Sequence, residues 1–103
     1  MQIHRAKNFT PKQAWDALDI ANMNGITCRL HWTNQAYRWH VNDGQEVFAV
    51  LTGEVIMEYE TEGAIESSVL KPGDIFYGSL GTKHKATPIG EARILVIEKQ
   101  GSL

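Results

Sequence analysis

Apolar residues recur at every second position in short runs along this chain, and turn residues interrupt the runs at regular intervals. Ile26, Cys28, Leu30 and Trp32 form one row, with Thr27, Arg29 and His31 on the opposite face. Glu46, Phe48 and Val50 share a face, and so do Val55, Met57 and Tyr59. The stretches Ile65 to Leu70, Ile75 to Tyr77 and Ala92 to Glu98 have the same length and character. A period of two belongs to a strand, whose successive side chains point to opposite faces. Between the runs stand Asn24-Gly25, Asn42-Asp43-Gly44, Thr52-Gly53, Glu62-Gly63, Lys71-Pro72-Gly73, Gly78 to Gly81 and Pro88 to Gly90. Glycine supplies positive φ at such points and proline presets it. Many short strands with turns roughly every eight to twelve residues predict an all-β sandwich or barrel. A closed barrel also removes the unpaired edges that a small β domain must otherwise protect.

The first residues are less regular. Thr10 could cap a helix with Pro11 in its first position, and Ala14, Ala17, Leu18 and Ala21 have helical spacing. Leu18 and Ile20 also alternate, and Asn24-Gly25 reads as a hairpin turn into Ile26. The expectation is a turn or helical turn near Thr10 to Gln13, then a strand around Asp16 to Asn22.

Length and composition narrow the classes. A chain of 103 residues is enough for one domain, and its 43% hydrophobic content supports a real core. The net charge of -2 and the lack of a basic run argue against a nucleic-acid partner. No apolar run approaches the length of a membrane span, and MQIHRAKNF lacks the apolar stretch of a signal peptide. Cys28 is the one cysteine, so no internal disulfide can form, which suits a cytoplasmic location. With apolar neighbours on its face, it reads as a small packing residue rather than a nucleophile.

Candidate chemistry gathers in WHVNDGQEVFAVLTG and GSLGTKHKA. His40 and Asn42 face one way if the backbone there is extended, and Glu46 opens the strand after the Asp43-Gly44 turn. A carboxylate leading an apolar face is costly to bury without a partner. A divalent cation would serve, as would a histidinium or an arginine. Two imidazoles and one carboxylate suit Fe(II), Mn(II), Ni(II) or Zn(II), with open positions left for substrate or water. Asn42 could add a weak oxygen donor or hydrogen-bond to a ligand. The competing reading is a polar network with no ion.

The spacing resembles that of the cupin superfamily, in particular its small single-domain members. The family's first motif, G-x5-H-x-H-x3/4-E-x6-G, is matched by His40-x-Asn42-x3-Glu46-x6-Gly53. The second, G-x5-P-x-G-x2-H-x3-N, is matched by Gly73-x5-Ser79-x-Gly81-x2-His84-x3-Pro88. The resemblance covers motif 1 at about 39–53 and motif 2 at about 73–88 within one domain of 1–103. It implies a double-stranded β-helix, a jelly-roll barrel, with one divalent metal held by His40, Glu46 and His84 and with Asn42 adjacent. This chain departs at Asn34, Asn42, Ser79 and Pro88, where the motifs have glycine, histidine, proline and asparagine. Activities on this fold include isomerases and dioxygenases beside binding and storage proteins, so the fold selects none. The expected function is binding of a metal and a small polar molecule, with or without turnover. The alternatives are a sugar- or small-molecule-binding protein without catalysis and a metal-free structural one. A homodimer is the expected assembly.

Phe48, Trp39 and Tyr77 are the candidate pocket residues. The polar row Thr27, Arg29 and His31 has two readings: a solvated or dimer-facing side, which is favoured, or the lining of the barrel mouth. Lys83 and Lys85 flank His84 and should point away from it.

Overall fold

The computed structural model describes residues 1–102. Its strands are β1 (Ala17–Met23), β2 (Ile26–Thr33), β3 (His40–Val41), β4 (Glu46–Thr61), β5 (Ala64–Leu70), β6 (Ile75–Gly78) and β7 (Lys83–Lys99). All pairings are antiparallel. The all-β jelly-roll architecture expected from the alternation and the resemblance is the one observed.

The two long strands, β4 and β7, build the barrel. The first half of β4 pairs with β6 on one side and with the second half of β7 on the other. Beyond β7 this layer continues into β2 and β1. The second half of β4 pairs with β5 and with the first half of β7, which also carries β3. Between the halves the β4–β7 register slips at Val50, Thr52 and Glu54. Gly53 sits in the slip with φ +77, and a Cβ there would strike the Glu91 carbonyl oxygen. This bulge turns each strand through the corner, as bulges at barrel rims do.

The slip also joins two apolar rows that have different parity. Phe48 and Val50 precede it, Val55 and Met57 follow it, and all four are buried in one core with Leu70, Ala86, Ala92, Ile94 and Val96. Fully burying one such aliphatic side chain stabilises by about 1.5–3 kcal/mol, so this inner row holds the layers together.

The β1–β2 hairpin forms as the sequence predicts. Asn24 and Gly25 have φ of 55 and 86, the pair of positive values that a two-residue I′ turn needs. Asn22 Oδ1 accepts the Gly25 N–H at 2.8 Å. Of the expected turn or helical turn near Thr10 to Gln13, the helical form is absent: the chain bends at Lys12 and Gln13 and turns with Asp16 N–H to Gln13 O at 3.2 Å. A 3-10 turn occupies Ala6–Asn8 instead. The reason is that Thr10 is engaged elsewhere: its hydroxyl accepts Arg93 Nη2 at 2.7 Å, and the Phe9 carbonyl accepts Arg93 Nε at 2.8 Å. The would-be cap is thus part of a clamp on the barrel wall.

The favoured reading of Thr27, Arg29 and His31 is also corrected. Their partners on β7 are Glu98, Val96 and Ile94, which lie on the inner face, and all three line a cavity inside the barrel. The apolar row of β2 lies on the other face, where Leu30 and Trp32 are buried. Among the described residues no helix is long and apolar enough to cross a membrane.

Candidate metal centre

His40 and His84 meet because β3 pairs with β7 in the register His40↔His84. Directly opposed residues of an antiparallel pair point to the same face, and the two ring centroids stand 4.3 Å apart. Glu46 opens β4 and is aligned with Gly78 of β6 and Glu98 of β7. Its carboxylate reaches His84, with Oε1 3.2 Å from Nε2. One ligand atom from each of His40, Glu46 and His84 lies within 4.8 Å of the others. Glu46 and His84 are buried and His40 is half-buried. Lys83 is exposed beside the buried His84.

Asn42 completes the group. Its Oδ1 accepts a hydrogen bond from His84 Nε2 at 2.9 Å. Its backbone is tied to the Gly81 turn on both sides, Asn42 N–H to Thr82 O and Gly81 N–H to Asn42 O, each at 2.9 Å. The loop of the second motif therefore positions a residue of the first. His40 Nδ1 donates to the Arg38 carbonyl at 3.2 Å. That bond fixes the ring and leaves Nε2 with its lone pair available, the arrangement metal-binding histidines use.

The residues fit a divalent ion. Two donors on one ion at about 2.0–2.2 Å stand no more than about 4.4 Å apart, so the trio needs only a small contraction. Among the described residues Glu46 Oε1 is buried and receives no hydrogen bond, because the Nε2–H of His84 aims at Asn42. His84 Nδ1 is also buried without a partner among the described residues. A carboxylate oxygen in that state is expensive, and a cation would remove the cost.

The trio opens into a cavity of about 620 Å³. Phe48, Ala86 and Val96 form an apolar wall, while Trp15 and Tyr37 stand edge-on at 5.3 Å. Two expected pocket residues do not line it. On β6 the alternation sends Phe76 inward, 5.6 Å from the His84 ring, and leaves Tyr77 exposed. Trp39 turns away next to Lys83, whose Nζ lies 5.9 Å from its ring centroid. Phe48 does line the cavity and is also core.

Several lining residues escape the sequence reading. Glu98 follows Ile94 and Val96 at the same parity on β7, and that signal could have found it. Its carboxyl is pushed up to about 8, by burial first and by the facing Glu46 carboxylate second. Burial pushes the His31 and His40 imidazoles down. Among the described residues His31 lies outside the close trio, with its Nδ1 given to the Trp15 carbonyl at 3.0 Å. Trp15 has φ 65, an unfavourable value for a bulky residue. It is held there by Trp15 N–H to Trp32 O at 2.8 Å and by Trp15 Nε1–H to Gln35 O at 2.9 Å.

Comparison with family models finds no match, and comparison with curated proteins finds none. Solved structures do match. A cupin-2 domain containing protein from Shewanella frigidimarina NCIMB 400 superposes with a TM-score of 0.76 at 27% identity, over 86% of this chain and 84% of that one. A cupin superfamily protein from Desulfitobacterium hafniense DCB-2 gives 0.73 at 15% identity, over 91% and 85%. A hydroxypropylphosphonic acid epoxidase from S. wedmorenis gives 0.63 at 16% identity, over 72% of this chain and 43% of the epoxidase.

Proposed function

We propose that this chain, whose fold is that of a small cupin, binds one divalent metal ion through His40, Glu46 and His84 and uses the adjoining cavity for a small polar molecule. The observation that carries the reading is the buried trio of donors with an unpartnered carboxylate oxygen at its centre. Such an ion acts as a Lewis acid on an oxygen of a bound molecule, which serves isomerase or dioxygenase chemistry. The chain's own residues do the rest. The Arg38 carbonyl orients His40, and the bond from His84 Nε2–H to Asn42 belongs to the ion-free site and would be given up when that nitrogen binds the ion. Phe48, Ala86 and Val96 keep water from one side of the cavity, and Glu98 is placed to hold a proton beside Glu46.

The test is metal content by mass spectrometry on untagged protein purified without chelator, beside His84→Ala and Glu46→Ala. Near-stoichiometric metal in the parent, lost in both variants, supports the reading. Protein that stays metal-free after exposure to manganese, iron, nickel and zinc overturns it. One observation favours a second reading, binding without an ion. His84 already hydrogen-bonds to Asn42 and lies against Glu46 without a cation. Metal-free protein stabilised by a small ligand would support that alternative.

A homodimer belongs to the same proposal. Two cross-strand rows on the outer face carry no charge: Cys28, Ile97, Val47 and Tyr77, and Leu95, Ala49 and Ile75 next to the buried Leu30. Ile75 and Tyr77 are 67% and 55% exposed, which leaves an apolar end to the patch. A second copy of the chain covers such a face self-complementarily. Sedimentation should show a dimer in the parent and a monomer for Tyr77→Glu. A monomeric parent at micromolar concentration would remove the dimer from the proposal.

A further inference from the structure

Arg29 stands on the inner face of β2, opposite Val96, and lines the cavity. Phe48 is the next residue along that cross-strand row. Arg29 therefore sits at one edge of the apolar wall, its backbone about two strand spacings, or roughly 10 Å, from β4, and Glu46 lies one row further along, aligned with Glu98 and Thr27.

Among the described residues only one of its nitrogens is used. Arg29 Nε donates to Asp19 Oδ1 at 2.7 Å, while among the described residues its terminal nitrogens have no partner. The side chain is 43% exposed, so the cavity mouth gives access to it. Asp19 has a side chain 82% exposed and is solvated without help. An ion pair this exposed contributes little stability. Its effect is to hold the guanidinium in one orientation and leave its outer edge open. His31, two residues along the same face, has Nδ1 committed to Trp15 and no partner for Nε2 among the described residues.

Charge decides what would bind there. Arg29 and Lys99 line the cavity against Asp19, Glu46 and Glu98. The lining has no net positive charge by itself and gains one once a divalent ion is in place. The loaded cavity then suits an anion, and a planar carboxylate matches the guanidinium edge in a way a hydroxyl does not.

We propose that the cavity takes a small organic anion spanning two points, with one oxygen-bearing end at the His40–Glu46–His84 trio and a carboxylate at Arg29. This rests on the metal reading and adds the ligand class to it. Anion binding requires the ion, and Arg29 sets specificity without holding the ion.

The experiment uses manganese-loaded protein and the dicarboxylates malonate, succinate and glutarate, each beside its monoamide, with binding read by calorimetry. At least one dicarboxylate should bind about tenfold or more tightly than its monoamide, the range expected for a charge-assisted hydrogen-bond pair. Arg29→Ala and Arg29→Gln should abolish that preference and keep the parent's metal content. Two variants are used so that one poorly folded protein does not decide the result, and melting curves check both. A metal-loaded parent that binds acids and amides alike overturns this proposal alone, as does a preference that survives in both variants. A parent that takes up no manganese overturns the metal reading and this proposal together.

Discussion

Gly78 leaves open the space that the Asn42 amide fills: a Cβ on Gly78 would overlap Asn42 Nδ2. Asn42 in turn accepts the hydrogen bond from His84, and Gly78 pairs with Glu46 on the neighbouring strand. A glycine with no positive φ is thus required by sterics alone, and it supports the polar group from beneath. Gly78→Ala should displace Asn42 from His84 and cost about 1–3 kcal/mol, as overpacking does. Asn42→Ala removes the clashing amide, so the double variant should lose less than the sum of the two single losses. Urea denaturation of the four proteins measures the coupling. Additive losses would show that the two side chains do not compete for one space.

The same space bears on the metal. Asn42 takes the place of a motif histidine, and an amide oxygen is a poorer donor than imidazole for the later divalent metals. Asn42→His should raise zinc or nickel affinity by about tenfold or more, since it adds a nitrogen donor next to His84. Competition against a chromophoric chelator reads the change. An unchanged affinity would place residue 42 outside the reach of the ion.

Much of the site was legible from spacing, and the reason is geometric. His40 and His84 lie far apart in sequence but directly opposite each other in register, so two short motifs suffice to specify the pair. Alternation was less informative about sides. It shows which residues share a face and does not show which face turns inward. In β2 burial does not mark the cavity side, because Thr27, Arg29 and His31 line a polar cavity while Leu30 and Trp32 are buried on the opposite face. The same ambiguity misplaced Trp39 and Tyr77, since aromatic rings suit a pocket and a surface equally well. Parity alone joined Glu98 to Ile94 and Val96. The strained backbone of Trp15 left no trace in the sequence, because its φ is set by hydrogen bonds to Trp32 and Gln35.

Arg93 illustrates a cost that the fold offsets locally. It is 8% exposed and donates to the Phe9 carbonyl, the Thr52 hydroxyl and the Thr10 hydroxyl. A buried guanidinium survives only when its donors are satisfied. Arg93→Ala should release the 1–12 segment from the wall and destabilise the protein by about 2–4 kcal/mol, within the range for breaking a buried polar network. Limited trypsin digestion should then cut after Lys7 or Lys12 well before the parent is cut. Equal protection in parent and variant would show that the segment is held by its apolar contacts instead.

His31 should make the protein acid-sensitive. Burial holds its imidazole below the ordinary 6.5, so the unfolded chain takes up a proton at a higher pH than the folded one. Protonation then favours unfolding. The stability due to neutral His31 is present above about pH 6.5 and is lost as pH falls toward the lowered folded value. Glu98 acts in the opposite sense. Its folded value of about 8 lies above the ordinary 4.5, so acidification from pH 8 toward 4.5 stabilises the fold. The two slopes overlap, and the parent's own curve does not separate them. The difference between parent and His31→Gln does, because the lost bond to the Trp15 carbonyl contributes a constant offset while the proton contributes a slope. In chelator-treated protein the parent should lose melting temperature relative to the variant between pH 7.5 and 5.5. Parallel curves over that range would mean that His31 ionises alike in the folded and unfolded chain, and that the cavity around it is wetter than its burial indicates.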